Sequence, residues 1–210
     1  MVLGGDMTDP EFYCRLIEEH DFVVGADRGG DTLRALGIIP DVVVGDFDSL
    51  SSGTMRWLLS HDVDFKPYPT NKERTDGELA LKTALASGAR DITITAAWGG
   101  RLDHTLGNLF LLRLARRHGA RCRLVEAEGE IILIDGNFEL AGSPGETISL
   151  IPIERCEGVT LRGFDYEADG LTLRPGDTRG ISNLLINGQG EIMIEKGQVL
   201  IIRSRPGRME

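Results

Sequence analysis

Four aspartates stand where acidic side chains can gather. Asp27 follows the apolar run FVVGA, Asp46 and Asp48 follow three valines in VVVGDFDSL, and Asp76 lies in KERTDGELAL. In an open parallel sheet, ligands bind beyond the carboxyl ends of the strands, so residues that directly follow strand patterns are placed for chemistry. Side chains at i and i+2 of an extended chain point the same way, which predicts that Asp46 and Asp48 act together, with Asp27 beside them on a neighbouring strand. Several carboxylates on one edge stay ionised at neutral pH only with a compensating cation, and VVVGDFDSL contains no basic residue. Mg2+ meets that demand, because it takes oxygen ligands and shares its shell between one or two carboxylates and substrate phosphates. The pattern predicts a metal site of Asp27, Asp46, Asp48 and Asp76 with a phosphate-bearing ligand. A lone DxD is more often a turn or a helix cap, and Asp48 could cap the segment SLSSGTMRWLLS. Recurrence of acids at successive strand ends carries the metal reading.

A second constellation, GGRLDHTLGN at 99–108, follows the run DITITAAW and opens a helical pattern. Glycines admit close backbone approach, a helix N-terminus attracts anions, and Arg101 can grip phosphate oxygens bidentately. Arg101, His104 and Asn108 fall at i, i+3 and i+7, so a helix begun near Arg101 presents them together and turns Leu102, Leu106 and Leu109 to the core. Lys72 and Arg74, in PTNKERTD, offer further positive charge to a phosphate chain. Neither GxxxxGK[ST] nor GxGxxG occurs, which removes the P-loop and ordinary dinucleotide-fold readings. Farther on, Tyr166 in GFDY can stack on a heterocycle, and Ser182 and Asn183 in RGISN can hydrogen-bond one.

The elements that must position these residues are legible. Up to residue 127 the strand patterns DFVVGA, DVVVG, DFKPY, DITITAA and RCRLVEA alternate with helical ones, the arrangement of parallel strands joined by helical crossovers, and Val2-Leu3 resembles the stub of another strand. Asp9-Pro10 offers a helix N-cap and an N1 proline, Gly37 closes DTLRALG, and Thr75 with Glu78 has the spacing of a capping box. From residue 128 the pattern changes to short alternating strands with Gly-rich turns, including EIILIDG, ETISLIPI, GVTLRGFDY and QVLIIRS, and only the tail RPGRME looks disordered. We therefore expect a Rossmann-like parallel α/β domain over 1–127 and a smaller β-sandwich over 128–210. The latter is thin for a core of its own and is expected to pack on the first domain or on a second subunit.

Composition limits the function classes. Lys plus Arg total 23 and Asp plus Glu 33, so the net charge of −10 opposes nucleic-acid binding, which needs a basic face. No stretch approaches the roughly 20 apolar residues of a membrane helix, and the start MVLGGDMTDPEF lacks a signal-peptide pattern, so a cytoplasmic protein is expected. Cys14, Cys122 and Cys156 form no CxxC and predict neither a zinc site nor a disulfide framework.

In order, GADRGG, DVVVGDFDSL, KERTDGELAL, GGRLDHTLGN, GFDY and RGISN resemble the motifs of the thiamine pyrophosphokinases over nearly the whole chain. The chain reads ADRGGD where that family often has ADGGAN, and Leu184 stands where Glu is frequent. The resemblance implies an N-terminal α/β domain binding ATP and magnesium, a C-terminal β-sandwich binding thiamine, and a homodimer with active sites between subunits. It assigns Asp27, Asp46, Asp48 and Asp76 to magnesium and the ATP phosphates, and the segment of Arg101, Asp103, His104 and Asn108 to the nucleotide. Tyr166, Ser182 and Asn183 it assigns to thiamine. Two rival readings keep part of this apparatus. One is a pyrophosphokinase for another primary alcohol such as a hydroxymethylpterin; the other is a non-catalytic nucleotide or thiamine diphosphate sensor.

Overall fold

The computed structural model describes residues 1–71 and 73–205; Lys72 and the tail from 206 lie outside the described residues. The chain divides into two compact units, Met1–Ala127 and Glu128–Glu210.

In the first unit the order is α1 (Pro10–Glu18), β1 (Val24–Ala26), α2 (Gly29–Ala35), β2 (Val42–Gly45), α3 (Ser52–Ser60), β3 (Asp64–Pro67), α4 (Asp76–Ala86), β4 (Asp91–Ile94), α5 (Leu102–Arg117) and β5 (Arg121–Glu126). Strands β1, β2 and β3 pair in parallel, as do β4 and β5. Val2 joins the two groups, forming parallel bridges to Gly25 on one side and Thr95 on the other. The expected strand stub is thus a single central residue, and strand order reverses around it. In open parallel sheets ligands bind at the carboxyl edge beside such a reversal, here where the loops after Val2, β1 and β4 leave the sheet.

β1 and β2 are buried throughout, so their runs of valine and small residues follow from burial on both faces. Helix ends follow local chemistry. The Asp9 carboxylate accepts the Phe12 N–H at 3.1 Å with Pro10 at N1, and Gly37 leaves α2 at φ +72°. Thr75 caps α4 by accepting the Glu78 N–H at 3.2 Å, whereas the Glu78 carboxylate turns to Arg74 at 3.1 Å and Lys82 at 2.7 Å. Ser51 rather than Asp48 caps α3, accepting the Thr54 N–H at 3.2 Å.

Helix α5 departs from the expected core face. Leu111, Leu112 and Ala115 are buried, whereas Leu102 is 80% exposed and Leu106 is also exposed. The first buried side chain of the helix is Leu111, in its third turn, and nothing among the described residues covers Leu102 and Leu106.

The second unit contains β6 (Gly129–Ile134), β7 (Phe138–Ala141), β8 (Thr147–Pro152), β9 (Cys156–Arg162), β10 (Ala168–Leu173), β11 (Asn183–Leu184), β12 (Gln189–Met193) and β13 (Val199–Ser204). They form two antiparallel groups in the orders β10-β9-β12-β7 and β11-β8-β13-β6. Alternate residues of both groups, among them Ile148, Leu150, Val159, Leu161, Ile192, Val199 and Ile201, close on Phe164 and Leu185 in one apolar cluster. This is a β-sandwich with its own core. Arg203 on β13 donates to Glu130 at 3.0 Å and to Glu146 at 2.8 Å, tying three segments of one group together.

Candidate active site

The carboxyl edge of β1, β2 and the start of α4 brings the predicted acids together. Gly45, the last residue of β2, is buried at φ +154°, and a Cβ there would stand 3.2 Å from Asp27 Cβ and 3.2 Å from Asp76 Oδ1. Only glycine lets the two carboxylate-bearing segments meet over the end of β2. Asp27 adopts φ +47°, a left-handed conformation aspartate tolerates comparatively well, while its N–H still donates to Val44 O at 2.8 Å.

Asp46 and Asp48 converge by a turn, not by the pleat of an extended strand. Phe47 between them lies at φ +62°, and the Asp48 N–H donates to Asp46 Oδ1 at 3.3 Å. Its ring meets Phe65 edge to face, with centroids 5.4 Å apart, and packs on the cluster of Val43, Leu50, Leu58 and Val63. Anchoring that ring offsets the roughly 1–2 kcal/mol cost of the left-handed backbone. Helix α2 steadies the far end of the turn, where Asp31 accepts the Ser51 hydroxyl at 2.6 Å. Burial raises the Asp31 carboxyl, but hydrogen bonds from Ser51 and Thr54 outweigh it and hold Asp31 below its ordinary value.

One oxygen each of Asp27, Asp46 and Asp48 lies within 4.8 Å of the others. That spread is close to the ~4.2 Å between opposite ligands of an octahedral ion with bonds near 2.1 Å. Asp27 Oδ1 is buried and has no hydrogen-bond partner among the described residues, while Oδ2 accepts the Ser49 hydroxyl. Burial pushes the Asp27 carboxyl up from 3.8; the Ser49 bond opposes this, and the charges of Asp76 and Asp46 push it further up. An all-oxygen donor set with a desolvated, unpartnered oxygen and mutually repelling charges fits a hard divalent cation.

The second constellation borders this cluster through Asn108. Its Nδ2 donates to Ala97 O at 3.0 Å, and its Oδ1 lies 3.2 Å from where a Gly77 Cβ would stand, next to Asp76. Arg101 and His104 stay exposed at the helix start. Arg101 donates through Nε and a terminal nitrogen to the two Asp103 oxygens at 3.1 and 2.6 Å, so that edge of its guanidinium is occupied by Asp103. The bonds from Arg101 hold Asp103 at about 2, so it is ionised throughout the neutral range. Arg74 is paired with Glu78, and Lys72 lies outside the described residues.

In the second unit the RGISN and GFDY loops are locked together. Asn183 is 4% exposed; its Oδ1 accepts the Tyr166 N–H at 2.9 Å and its Nδ2 donates to Tyr166 O at 2.7 Å. Ser182 sits at φ +59°, and its N–H donates to Ser149 Oγ at 3.0 Å. Tyr166 itself is 69% exposed, its ring open to a ligand. Asn183 therefore contributes by fixing the tyrosine's backbone. Gly45, Phe47, Ser49 and Asp31 escaped the sequence reading. Glycine at a strand end beside two acids was the available signal for the first, while the others depend on tertiary packing.

Two family models match the chain: the thiamin pyrophosphokinase catalytic domain over residues 13–124 and the thiamin pyrophosphokinase vitamin B1 binding domain over 133–199. The thiamine pyrophosphokinase of Bacillus subtilis (strain 168) is 34% identical over 190 residues, 89% of each chain. A crystal structure of thiamine pyrophosphokinase from Bacillus subtilis superposes with a TM-score of 0.86 at 32% identity, covering 98% of both chains. One of thiamin pyrophosphokinase from Geobacillus thermodenitrificans gives 0.83 at 33% identity, covering 99% of this chain and 97% of that one. The chain belongs to the thiamin pyrophosphokinase family.

Proposed function

We propose that this chain transfers the β,γ-diphosphate of ATP to the hydroxyl of thiamine, giving thiamine diphosphate and AMP. The observation that carries the reading is the convergence of Asp27, Asp46 and Asp48 at adjacent strand ends, in a chain of this family. Those three carboxylates, with Asp76 beside them, would hold Mg2+. When bound, the ion would neutralise the β- and γ-phosphates and orient them. The thiamine oxygen forms a bond to the β-phosphorus, the bond from that phosphorus to the α-phosphate oxygen breaks, and AMP leaves with that oxygen. The hydroxyl proton passes to a carboxylate, for which Asp76 and Asp46 are our candidates.

Arg101, held by Asp103 through one edge of its guanidinium, takes phosphate oxygens through its remaining N–H groups together with His104, Arg74 and Lys72, while Asn108 lines the nucleotide side next to Asp76. Tyr166 offers its ring face to thiamine, Asn183 holds that ring in place, and Ser182 faces the aminopyrimidine.

We also propose a cytoplasmic homodimer in which two copies complete each active site. Support comes from exposed apolar side chains in both units: Leu102, Leu106 and Phe110 along α5, and Ile181, Leu184 and Ile186 around β11. Among the described residues no helix is long and apolar enough to cross a membrane. The three cysteines are free, in keeping with a reducing compartment.

The test is product analysis with ATP and Mg2+, with thiamine, a hydroxymethylpterin or no acceptor. AMP and thiamine diphosphate in equal amounts, only when thiamine is present, are expected. AMP formed with the pterin alone, or ligand binding without AMP, would overturn the reading.

A further inference from the structure

Glu126 is a carboxylate 2% exposed at the end of β5, and the proposed chemistry does not use it. The parallel ladder between β4 and β5 stops at Ile94 and Leu124, and beyond it the side chains of the two segments take over. The Thr95 hydroxyl donates to Val125 O at 2.6 Å. One residue later, Glu126 accepts two successive backbone N–H groups, from Ala96 to Oε2 at 3.3 Å and from Ala97 to Oε1 at 2.7 Å. Two consecutive N–H groups can point at one anion here because Ala96 lies at φ +52°, forming a backbone nest. The Tyr13 hydroxyl, itself buried on α1, donates to Oε2 at 2.7 Å and fixes the carboxylate from the other side.

Beyond this nest the chain enters the loop that leads to the phosphate-side residues. With the N–H groups of 96 and 97 taken by Glu126, the carbonyls of this segment face the opposite way and are each claimed. Gly5 N–H donates to Ala96 O at 2.7 Å, Asn108 Nδ2 to Ala97 O at 3.0 Å, and Asp6 N–H to Trp98 O at 2.8 Å. Arg101, the N-cap of α5, has no side-chain cap bond of its own, so the aim of the helix start is set by the loop before it.

We propose that Glu126 is a positioning residue for the transfer reaction: by filling the Ala96–Ala97 nest it sets the 96–101 loop, and through that loop the placement of Arg101, His104 and Asn108 against the ATP phosphates. This rests on the proposed transfer from ATP to thiamine. A buried charge that only stabilised the fold would leave nucleotide affinity per folded molecule unchanged, and this separates the two roles.

The test uses Trp98 as a local reporter in a Trp57→Phe background, which removes the chain's other tryptophan. Glu126→Gln keeps the shape but leaves one nest N–H facing an amide. We expect faster amide exchange at Ala96 and Ala97, a shifted Trp98 emission, and an ATP KM raised about 10-fold, the usual scale for losing a supporting hydrogen bond behind a site. The thiamine KM should move much less. A lower melting temperature with unchanged Trp98 emission and ATP KM would overturn the proposal. Should Glu126→Gln not fold, Tyr13→Phe carries the test: a smaller change in the same direction supports the proposal, and none overturns it. Should the wild-type protein form no thiamine-dependent AMP, the functional reading fails separately. The dissociation constant of Mg-ATP read from Trp98 then replaces KM, with a 10-fold weakening supporting the positioning role and no change overturning it.

Discussion

Asp46→Asn should make the metal-free protein more stable and the enzyme nearly inactive. The ligand oxygens of Asp27, Asp46 and Asp48 lie within 4.8 Å of one another. At that distance two like charges repel by about 3 kcal/mol at an effective dielectric of 20 and about 1 kcal/mol in bulk water. Asp46 is half-buried and Asp48 exposed, so solvent screening holds the repulsion near the lower figure. Asparagine keeps an oxygen to accept the Asp48 N–H, so the local turn survives the change. Relief of about 1 kcal/mol raises the melting temperature of a chain this size by roughly 2–4 °C. The assay is thermal unfolding in EDTA and in saturating Mg2+, beside AMP formation. In EDTA the variant should melt above wild type. In Mg2+ the wild type should gain more, because binding to the native state adds stability in proportion to affinity. Turnover should fall about 100-fold or more with the loss of a metal-binding carboxylate. A variant no more stable than wild type in EDTA, with an equal Mg2+ response, would refute the cluster as a repulsive metal site.

Burial first, and then the charges of Asp76 and Asp46, raise the Asp27 carboxyl above 3.8 in the folded state. The native protein therefore holds that proton more tightly than the unfolded chain. The stability contributed by Asp27 is present in full below its unfolded value and is lost as pH rises through the folded one, so without metal Asp27→Asn should gain on wild type over that interval in pH-dependent melting. Gly45→Ala places a methyl group 3.2 Å from Asp27 Cβ and Asp76 Oδ1, and the Mg2+ concentration for half-maximal activity should rise; an unchanged value would remove Gly45 from the site. Tyr166→Ala should raise the thiamine KM well beyond the ATP KM with little change in melting temperature, since the ring is exposed. Asn183→Ala should share that kinetic effect and also cost about 1 kcal/mol per hydrogen bond in chemical denaturation, because it removes both bonds between the buried amide and the Tyr166 backbone.

Much of the framework was legible because local chemistry and tertiary structure agree. Asp9-Pro10, Thr75 and Gly37 mark helix ends by backbone rules that hold in any context, and runs such as VVVG read as doubly covered strands. The acids were legible for a topological reason, since residues after strands share one edge wherever a sheet is parallel. The turn at Phe47 was not, because its left-handed backbone is held by a ring contact with Phe65, 18 residues away in sequence. Nor was the exposure of Leu102 and Leu106, since helical period identifies a face without saying whether a sheet lies beneath it. The central place of Val2 rests on two single-residue bridges, too short to leave a pattern. Asn183 illustrates the same limit: Ser-Asn is common turn chemistry, and only the fold shows its amide clamping Tyr166.

The most direct test of the transfer is the fate of ATP labelled at the β-phosphorus, incubated with Mg2+ and thiamine. Attack at that phosphorus predicts that all consumed label appears in thiamine diphosphate, matched one to one by unlabelled AMP. Label appearing in ADP or in free pyrophosphate, with none on thiamine, would contradict the account.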